Sequence, residues 1–146
     1  MTPDVVNLSA TDRAELSRLA LAASPAECCG LLVGRHKGAA VEITAIHKSE
    51  NLAKDKLSGF EVDFRLRLHL EEELESGLDQ IIGHYHSHPN GNSKPSGRDL
   101  ADAVEPGLVW LILAVDGVGA VDLSAWLMCR SIEGEKSFSA LPVVIK

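Results

Sequence analysis

The sequence has no long hydrophobic run, no recognisable export signal and no block of basic residues. Its longest uninterrupted apolar run covers residues 108–115, whereas a membrane-spanning helix needs about 20 residues, so we expect no membrane span. Residues 1–4 contain neither the basic region nor the apolar stretch that begins a secretory signal. We therefore expect a cytoplasmic protein.

The balance of charge argues against a nucleic-acid partner. The chain has 21 acidic and 14 basic residues and a formal net charge of −7, while nucleic-acid binding normally requires a positive patch. Cysteine is also scarce: Cys28 and Cys29 are adjacent and Cys129 is distant. This odd count, without C-x-x-C spacing, indicates neither a disulfide framework nor a cysteine zinc knuckle. We expect buried, reduced thiols, since free cysteine behaves as a small hydrophobic residue.

The remaining composition is typical of one globular domain. Of the 146 residues, 45% are hydrophobic and 24% are charged, which is ordinary for a folded domain. The length falls within the roughly 100–200 residues of one domain. Because the chain shows no repeat, low-complexity tract or linker, we predict a single domain over residues 1–146.

Hydrophobic spacing predicts a mixture of helices and strands. Ser9 is a candidate helix N-cap, and Pro25 ends that helix because the residue before a proline is disfavoured in the helical region. Residues 48–59 are polar and are predicted to form a loop. A continuous apolar run, such as 108–115, is typical of a central strand buried on both faces. The pattern predicts strands at 29–33, 40–46, 80–86, 108–115, 124–129 and 137–145, and a helix that starts at Ser96.

Residues 64–76 are compatible with two structures. Their alternation of apolar and polar residues from 64 to 70 favours a strand, but Leu66, Leu70 and Leu74 are spaced by four and Leu, Arg and Glu favour helices. We predict a helix at 64–76 with Asp63 as its cap. Strands interleaved with two or three helices make the protein an α/β or α+β domain.

Residues 83–89, Gly-His-Tyr-His-Ser-His-Pro, are dense in potential metal ligands. His86 and His88 are two apart on a predicted strand, so they share one face with Cα atoms about 6.5–7 Å apart and can converge on one ion. Asp99, in the first turn of the helix after Ser96, can return a carboxylate to the same ion. Two histidines and one carboxylate leave a fourth zinc position for water, which is typical of a catalytic site.

Each of these residues also has a simpler interpretation. An isolated H-x-H pair is more often structural than a metal site, and Ser96 with Asp99 can be merely a helix cap. Tyr85 is expected on the opposite face, in the core. His84 shares the histidine face but would lie about 13 Å from His88 along the strand, so we exclude it from the ligand set. We expect surface positions for the scattered histidines, which are His36, His47 and His69.

Together the spaced residues resemble the JAMM motif of MPN+ domain metalloproteases, in their prokaryotic stand-alone form. The motif begins at Glu27 in the segment Glu27–Gly34, continues with His86-Ser87-His88-Pro89, and ends at Ser96 and Asp99, with every position present at the family spacing. The resemblance implies a curved mixed β-sheet flanked by helices, similar to cytidine deaminases. The deaminase signature itself is absent. An aromatic residue common in the family is replaced here by His84.

The resemblance implies a role for each motif residue. His86, His88 and Asp99 resemble the ligands of a Zn2+ cofactor. Glu27 resembles the general base that takes a proton from the attacking water. Ser96 resembles the group that stabilises the tetrahedral intermediate. The implied reaction is hydrolysis of a peptide or isopeptide bond.

The same resemblance implies a ubiquitin-like protein as substrate. We favour trimming of a sulfur-carrier protein to expose its Gly-Gly end, because the compact chain is similar to the prokaryotic branch. The alternatives are an isopeptidase that removes a ubiquitin-like modifier from lysine and, in another class, a non-catalytic MPN scaffold. The scaffold is disfavoured because all five motif residues are present. The sequence does not decide the oligomeric state, and a homodimer stays open.

Overall fold

The computed structural model describes residues 2–146, which form a curled eight-stranded mixed sheet with three helices, the α+β class predicted from the sequence. In chain order the elements are β1 (Val5–Leu8), α1 (Ala10–Ala23), β2 (Cys29–Lys37), β3 (Ala40–Ser49), α2 (Phe64–Leu74), β4 (Gln80–His88), α3 (Gly97–Asp102), β5 (Val109–Val115), β6 (Val121–Arg130), β7 (Lys136–Leu141) and β8 (Val143–Ile145).

The strand order across the sheet is β7-β6-β5-β4-β2-β3-β1-β8. The pairs β4–β5, β1–β3 and β1–β8 are parallel, and the other neighbouring pairs are antiparallel. The histidine-rich strand β4 therefore lies in the middle of the sheet, between β2 and β5. This position buries its end among neighbouring strands.

The C-terminal strand differs from the prediction of one strand at 137–145. The structure divides this segment at Pro142 into β7 and β8, which lie at opposite edges of the sheet. Proline has no N–H to continue a ladder, and the Pro142 carbonyl instead accepts a bond from the Val6 N–H at 3.0 Å. Because a single residue links the two edges, the sheet has to curl.

Each face of the sheet is covered by helix. On one face, Leu16 of α1 packs in a core with Leu32 and Leu111. On the other face, Leu70 of α2 packs with Leu31, and Ala103 after α3 packs with Trp110 and Met128. Neighbouring residues thus face opposite cores, and all of β5 is buried as predicted. Tyr85 lies in the α1 core, so the alternating histidines of β4 face α2 and α3.

The ambiguous segment is a helix, α2, as predicted, and Asp63 caps it by accepting a bond from the Arg65 N–H at 3.0 Å. The strand alternative was wrong because Leu66, Leu70 and Leu74 pack together against the second sheet face. Ser9 likewise caps α1. The sequence pattern did not predict β1, and β2 and β3 extend beyond their predicted ends at 33 and 46.

No helix among residues 2–146 combines the length and apolar character needed to cross a membrane. The three cysteines are free thiols, but only Cys29 is fully buried, while Cys28 and Cys129 are partly exposed. Expectation and structure therefore agree on the reduced state and differ on the burial of two thiols. Among the scattered histidines, His36 and His69 are exposed and His47 is partly exposed.

Candidate metal centre

The end of β4 brings two imidazoles together in a buried position. His86 and His88 share one face of the strand, and they are 0% and 6% exposed. Their Nε2 atoms lie 3.0 Å apart. Two ring nitrogens directed at one point in this way can share one cation.

The start of α3 adds a carboxylate. Ser96 is the N-cap and forms a capping box with Asp99: the Ser96 Oγ accepts from the Asp99 N–H, and the Asp99 Oδ2 accepts from the Ser96 N–H at 2.8 Å. The same Oδ2 lies 3.3 Å from His86 Nε2 and 3.1 Å from His88 Nε2. One oxygen of Asp99 therefore both caps α3 and contacts the two histidines, so its interpretations as a helix cap and as a metal ligand are compatible.

These distances fit a small divalent cation. Donor atoms bound tetrahedrally at about 2.0–2.1 Å lie about 3.3 Å from one another, close to the 3.0–3.3 Å that separates the three donors here. A carboxylate oxygen of Glu27 also comes within 4.8 Å of the ligand nitrogens of His86 and His88. The residues present thus form a buried site able to hold a metal.

The two imidazoles are oriented by different means. His88 Nδ1 lies 2.7 Å from the Asn92 carbonyl oxygen. Because a carbonyl only accepts, Nδ1 must donate, which leaves Nε2 free to bind an ion in the neutral ring. The His86 ring instead stacks on Phe60 with centroids 4.2 Å apart, and its buried Nδ1 has no hydrogen-bond partner among residues 2–146.

His84 lies beside the site and not in it. Its ring makes an edge contact with Trp110 at 4.2 Å between centroids, and it does not belong to the cluster of Glu27, His86 and His88. Its exclusion from the ligand set stays a prediction. Its Nδ1 is buried without a hydrogen-bond partner in the part of the chain that the structure describes.

Glu27 lies between α1 and β2 and is 8% exposed. The Glu27 N–H donates to the Lys56 carbonyl at 2.7 Å, and the Glu27 carbonyl accepts from Asn51 Nδ2 at 2.9 Å. Burial raises the pKa of the Glu27 carboxyl to about 7, although the nearby His88 acts in the opposite direction. Glu27 is therefore a carboxyl group that can exchange a proton near neutral pH.

Two of the three ligand candidates favour the protonation state that a cation requires. Burial lowers the pKa of His86 and so favours its neutral form. Burial opposes ionisation of Asp99, but hydrogen bonds to His86 and His88 hold its pKa well below its usual range. Metal ligands must be deprotonated, and neutral His86 beside ionised Asp99 meets this requirement. Burial opposes the charged form of His88, but hydrogen bonds to Asp99 and to the Asn92 carbonyl raise the pKa of this imidazole, so a cation has to displace a proton there.

An open cleft of about 340 Å³ reaches the site, and Glu27, His88 and Ser96 line it together with Ser58 and Asn92. Ser96 is exposed. Its Oγ accepts from Asp99, and within residues 2–146 the hydroxyl proton has no acceptor. The cleft thus presents a buried carboxyl group and a hydroxyl donor beside the potential cation, an arrangement suited to activating water.

Several supporting residues were missed by the sequence reasoning. Asn51 uses its amide to tie the predicted loop together: it donates to the Glu27 and Gly59 carbonyls and accepts from the N–H groups of Ala53 and Glu61. Phe60, in the next part of the chain, supplies the ring that stacks on His86. Nothing in a polar loop sequence distinguishes these residues, because their contacts are with distant parts of the chain.

Comparisons with known proteins agree with this geometry. The family model described as prokaryotic homologs of the JAB domain matches residues 9–129. A desampylase from Haloferax volcanii is 39% identical over 93 residues, a match that spans 64% of this chain and 66%, just under two thirds, of the relative.

Two solved structures have a similar fold. A protein from Desulfitobacterium hafniense superposes with a TM-score of 0.81 at 25% identity, over 97% of this chain and 92% of the other. A protein from Salinibacter ruber superposes with a TM-score of 0.63 at 27% identity, over 94% and 90% of the two chains. Both similarities extend over nearly the whole sheet.

The raised pKa of Glu27 gives a testable pH dependence. Its folded pKa of about 7 lies above the ordinary 4.5, so the metal-free protein loses stability as the pH rises from about 4.5 through 7. Glu27→Gln cannot ionise. We expect the free energy of unfolding of the variant, relative to wild type, to be larger at pH 8 than at pH 4 by about 2 kcal/mol after allowance for solvent screening, so the variant gains relative stability as the pH rises. Urea unfolding in the presence of a chelator measures this difference, and an equal difference at both pH values would contradict the assignment.

Proposed function

The chain belongs to the family of prokaryotic homologs of the JAB domain, and on this basis we propose that it is a zinc-dependent JAMM peptidase. Its reaction is hydrolysis of the bond that follows the C-terminal tail of a ubiquitin-like protein. The single observation that supports this function best is the convergence of His86, His88 and Asp99, with Glu27 beside them at an open cleft.

His86, His88 and Asp99 would hold the metal. Two imidazole nitrogens and one carboxylate oxygen are a donor set that Zn2+ accepts, with a fourth position left open. When bound, zinc acts as a Lewis acid that polarises a carbonyl and lowers the pKa of water towards 7. All three donor residues are buried, which keeps competing solvent away from the donor atoms.

Glu27 and Ser96 would act on the substrate. Glu27 takes a proton from the attacking water and returns it to the departing amine, because its carboxyl group faces the cleft and is poised near neutral pH. The Ser96 hydroxyl would donate a hydrogen bond to the oxyanion of the tetrahedral intermediate, while its Oγ continues to cap α3.

Two kinds of substrate contain the C-terminal tail of a ubiquitin-like protein. The relative from Haloferax volcanii is named a desampylase, which implies removal of ubiquitin-like SAMP modifiers. This name favours removal of a modifier from lysine, so we place isopeptide cleavage first. Trimming of an extended sulfur carrier, which the sequence favoured, becomes the second candidate. A cytoplasmic location belongs to the same proposal, since both substrates are intracellular proteins.

A non-catalytic scaffold is a weaker explanation of the site. A scaffold has no need of a metal, a proton acceptor and a hydroxyl donor at one cleft. In this chain the three ligand candidates, Glu27 and Ser96 are all present, and Glu27, His88 and Ser96 line the same cleft. The intact set therefore supports an enzyme.

The substrate is identified by comparing two assays on zinc-loaded protein. One uses a ubiquitin-like protein joined to lysine, and the other uses a sulfur carrier with a C-terminal extension. We expect cleavage after the terminal Gly-Gly of the lysine conjugate, observed by mass spectrometry and abolished by a chelator. Cleavage of the extended carrier alone would favour trimming, and cleavage of neither by zinc-loaded protein would contradict a peptidase specific for such tails.

Glu27→Gln tests the proton-transfer role. The neutral amide cannot accept a proton, so we expect turnover to fall by about 10²–10⁴-fold, with zinc still bound in one equivalent. Glu133→Gln, which changes an exposed acid in the turn before β7, is the matched control and should retain full turnover. Wild-type turnover by zinc-loaded Glu27→Gln would exclude Glu27 as the base.

Ser96→Gly separates the hydroxyl donor from the helix cap. Replacement of a serine cap by glycine lowers stability by only a few tenths of a kcal/mol. The backbone N–H of residue 96, which donates to the Asp99 carboxylate, is kept. We expect a loss of about 10²–10³ in kcat because an oxyanion donor is removed, with zinc affinity retained. Ser139→Ala on the exposed edge strand β7 is the control. Unchanged kcat in Ser96→Gly would show that the hydroxyl does not assist the reaction.

A further inference from the structure

Ser124 of β6 lies outside the metal centre but is connected to it by hydrogen bonds. We infer that Ser124 is a positioning residue for His88: it holds the loop whose carbonyl orients the His88 ring. This inference rests on the metal site of the proposed function. The inference assigns a role to Ser124, which lies two strands away from β4 and is not one of the motif residues.

The direction of the bonds at Ser124 is determined by chemistry. The Trp126 Nε1–H lies 2.9 Å from Ser124 Oγ and can only donate, so the hydroxyl oxygen accepts from it. The Ser93 carbonyl oxygen lies 2.6 Å from the same Oγ and can only accept, so the hydroxyl proton is donated to it. Both capacities of the hydroxyl are therefore used, and its orientation has no freedom.

The loop that receives this bond also holds His88. Ser93 directly follows Asn92, whose carbonyl accepts from His88 Nδ1 at 2.7 Å. The other side-chain bonds in this loop are local and exposed: Asn90 accepts from the Asn92 N–H, and Asn92 accepts from the Lys94 N–H. The bond from Ser124 to Ser93 ties this loop to the sheet.

The register of the sheet explains how Ser124 reaches the loop. His86 of β4 pairs with Ile112 of β5, and Ile112 pairs with Ser124 of β6. Adjacent strands are about 4.8 Å apart, so Ser124 lies about 10 Å from His86 along one row of the sheet. The loop after β4 crosses over β5 and meets Ser124 there. Loss of the hydroxyl would free the Asn92 carbonyl to move away from His88.

Zinc affinity of Ser124→Ala is the test. Loss of an outer partner of a metal-binding histidine typically weakens metal affinity by about 10–100-fold, and we expect a value in this range. Ser124→Thr keeps the hydroxyl and should keep affinity within about threefold of wild type, a loss well below that range. Ser131→Ala is the matched control, because it removes a serine oxygen that accepts from the Glu135 N–H in a turn before β7. Affinity is measured by competition with a chromophoric chelator.

A second readout separates positioning from general loss of structure. The hydrogen-bonded Nδ1–H of His88 gives a proton NMR signal in the zinc-loaded protein, and we expect faster exchange with water in Ser124→Ala than in wild type or Ser124→Thr. If Ser124→Ala does not fold, Ser124→Cys, whose thiol is a weak donor, is measured in its place. Unchanged zinc affinity and exchange in the folded variant would overturn the inference. Absence of zinc binding by wild type would instead overturn the proposed function.

Discussion

The contact on which the site depends is the meeting of two imidazole nitrogens and one carboxylate oxygen in a buried part of the sheet. Polar groups are costly to bury unless they are paired, and His86, His88 and Asp99 satisfy part of this requirement through one another. A divalent cation would add to it by taking one lone pair from each of the three donor atoms. The cluster thus has a physical reason to bind metal that is independent of any motif.

The fold provides this contact by supporting each ligand differently. His86 is held by ring stacking on Phe60, His88 by a backbone carbonyl, and Asp99 by the first turn of α3. Glu27 is fixed by Asn51, from a loop that follows β3. Because the supports come from separate parts of the chain, the site forms only when the curled sheet and its flanking segments are in place.

Local signals in the sequence predicted much of this arrangement. The alternation around Tyr85 predicted which face the histidines occupy, and the four-residue leucine spacing with Asp63 predicted α2. The spacing from Ser96 to Asp99 predicted the start of α3. These features depend on neighbouring residues and are therefore visible in a sequence.

Features that depend on distant contacts were not predictable in the same way. Pro142 breaks one predicted strand into two, but the position of β8 beside β1 follows from the closure of the sheet. The short strand β1 is stabilised by its partners and has only four residues of its own. The roles of Phe60, Asn51 and Ser124 likewise arise from tertiary contacts that leave no periodic pattern.

The most direct test is a crystal structure of zinc-loaded protein with anomalous diffraction at the zinc edge. The account predicts one strong anomalous peak within about 2.0–2.2 Å of His86 Nε2, His88 Nε2 and an Asp99 oxygen, on the side of the cleft that Glu27 lines. The same three side chains in place with no peak between them, or a zinc ion bound elsewhere, would contradict it.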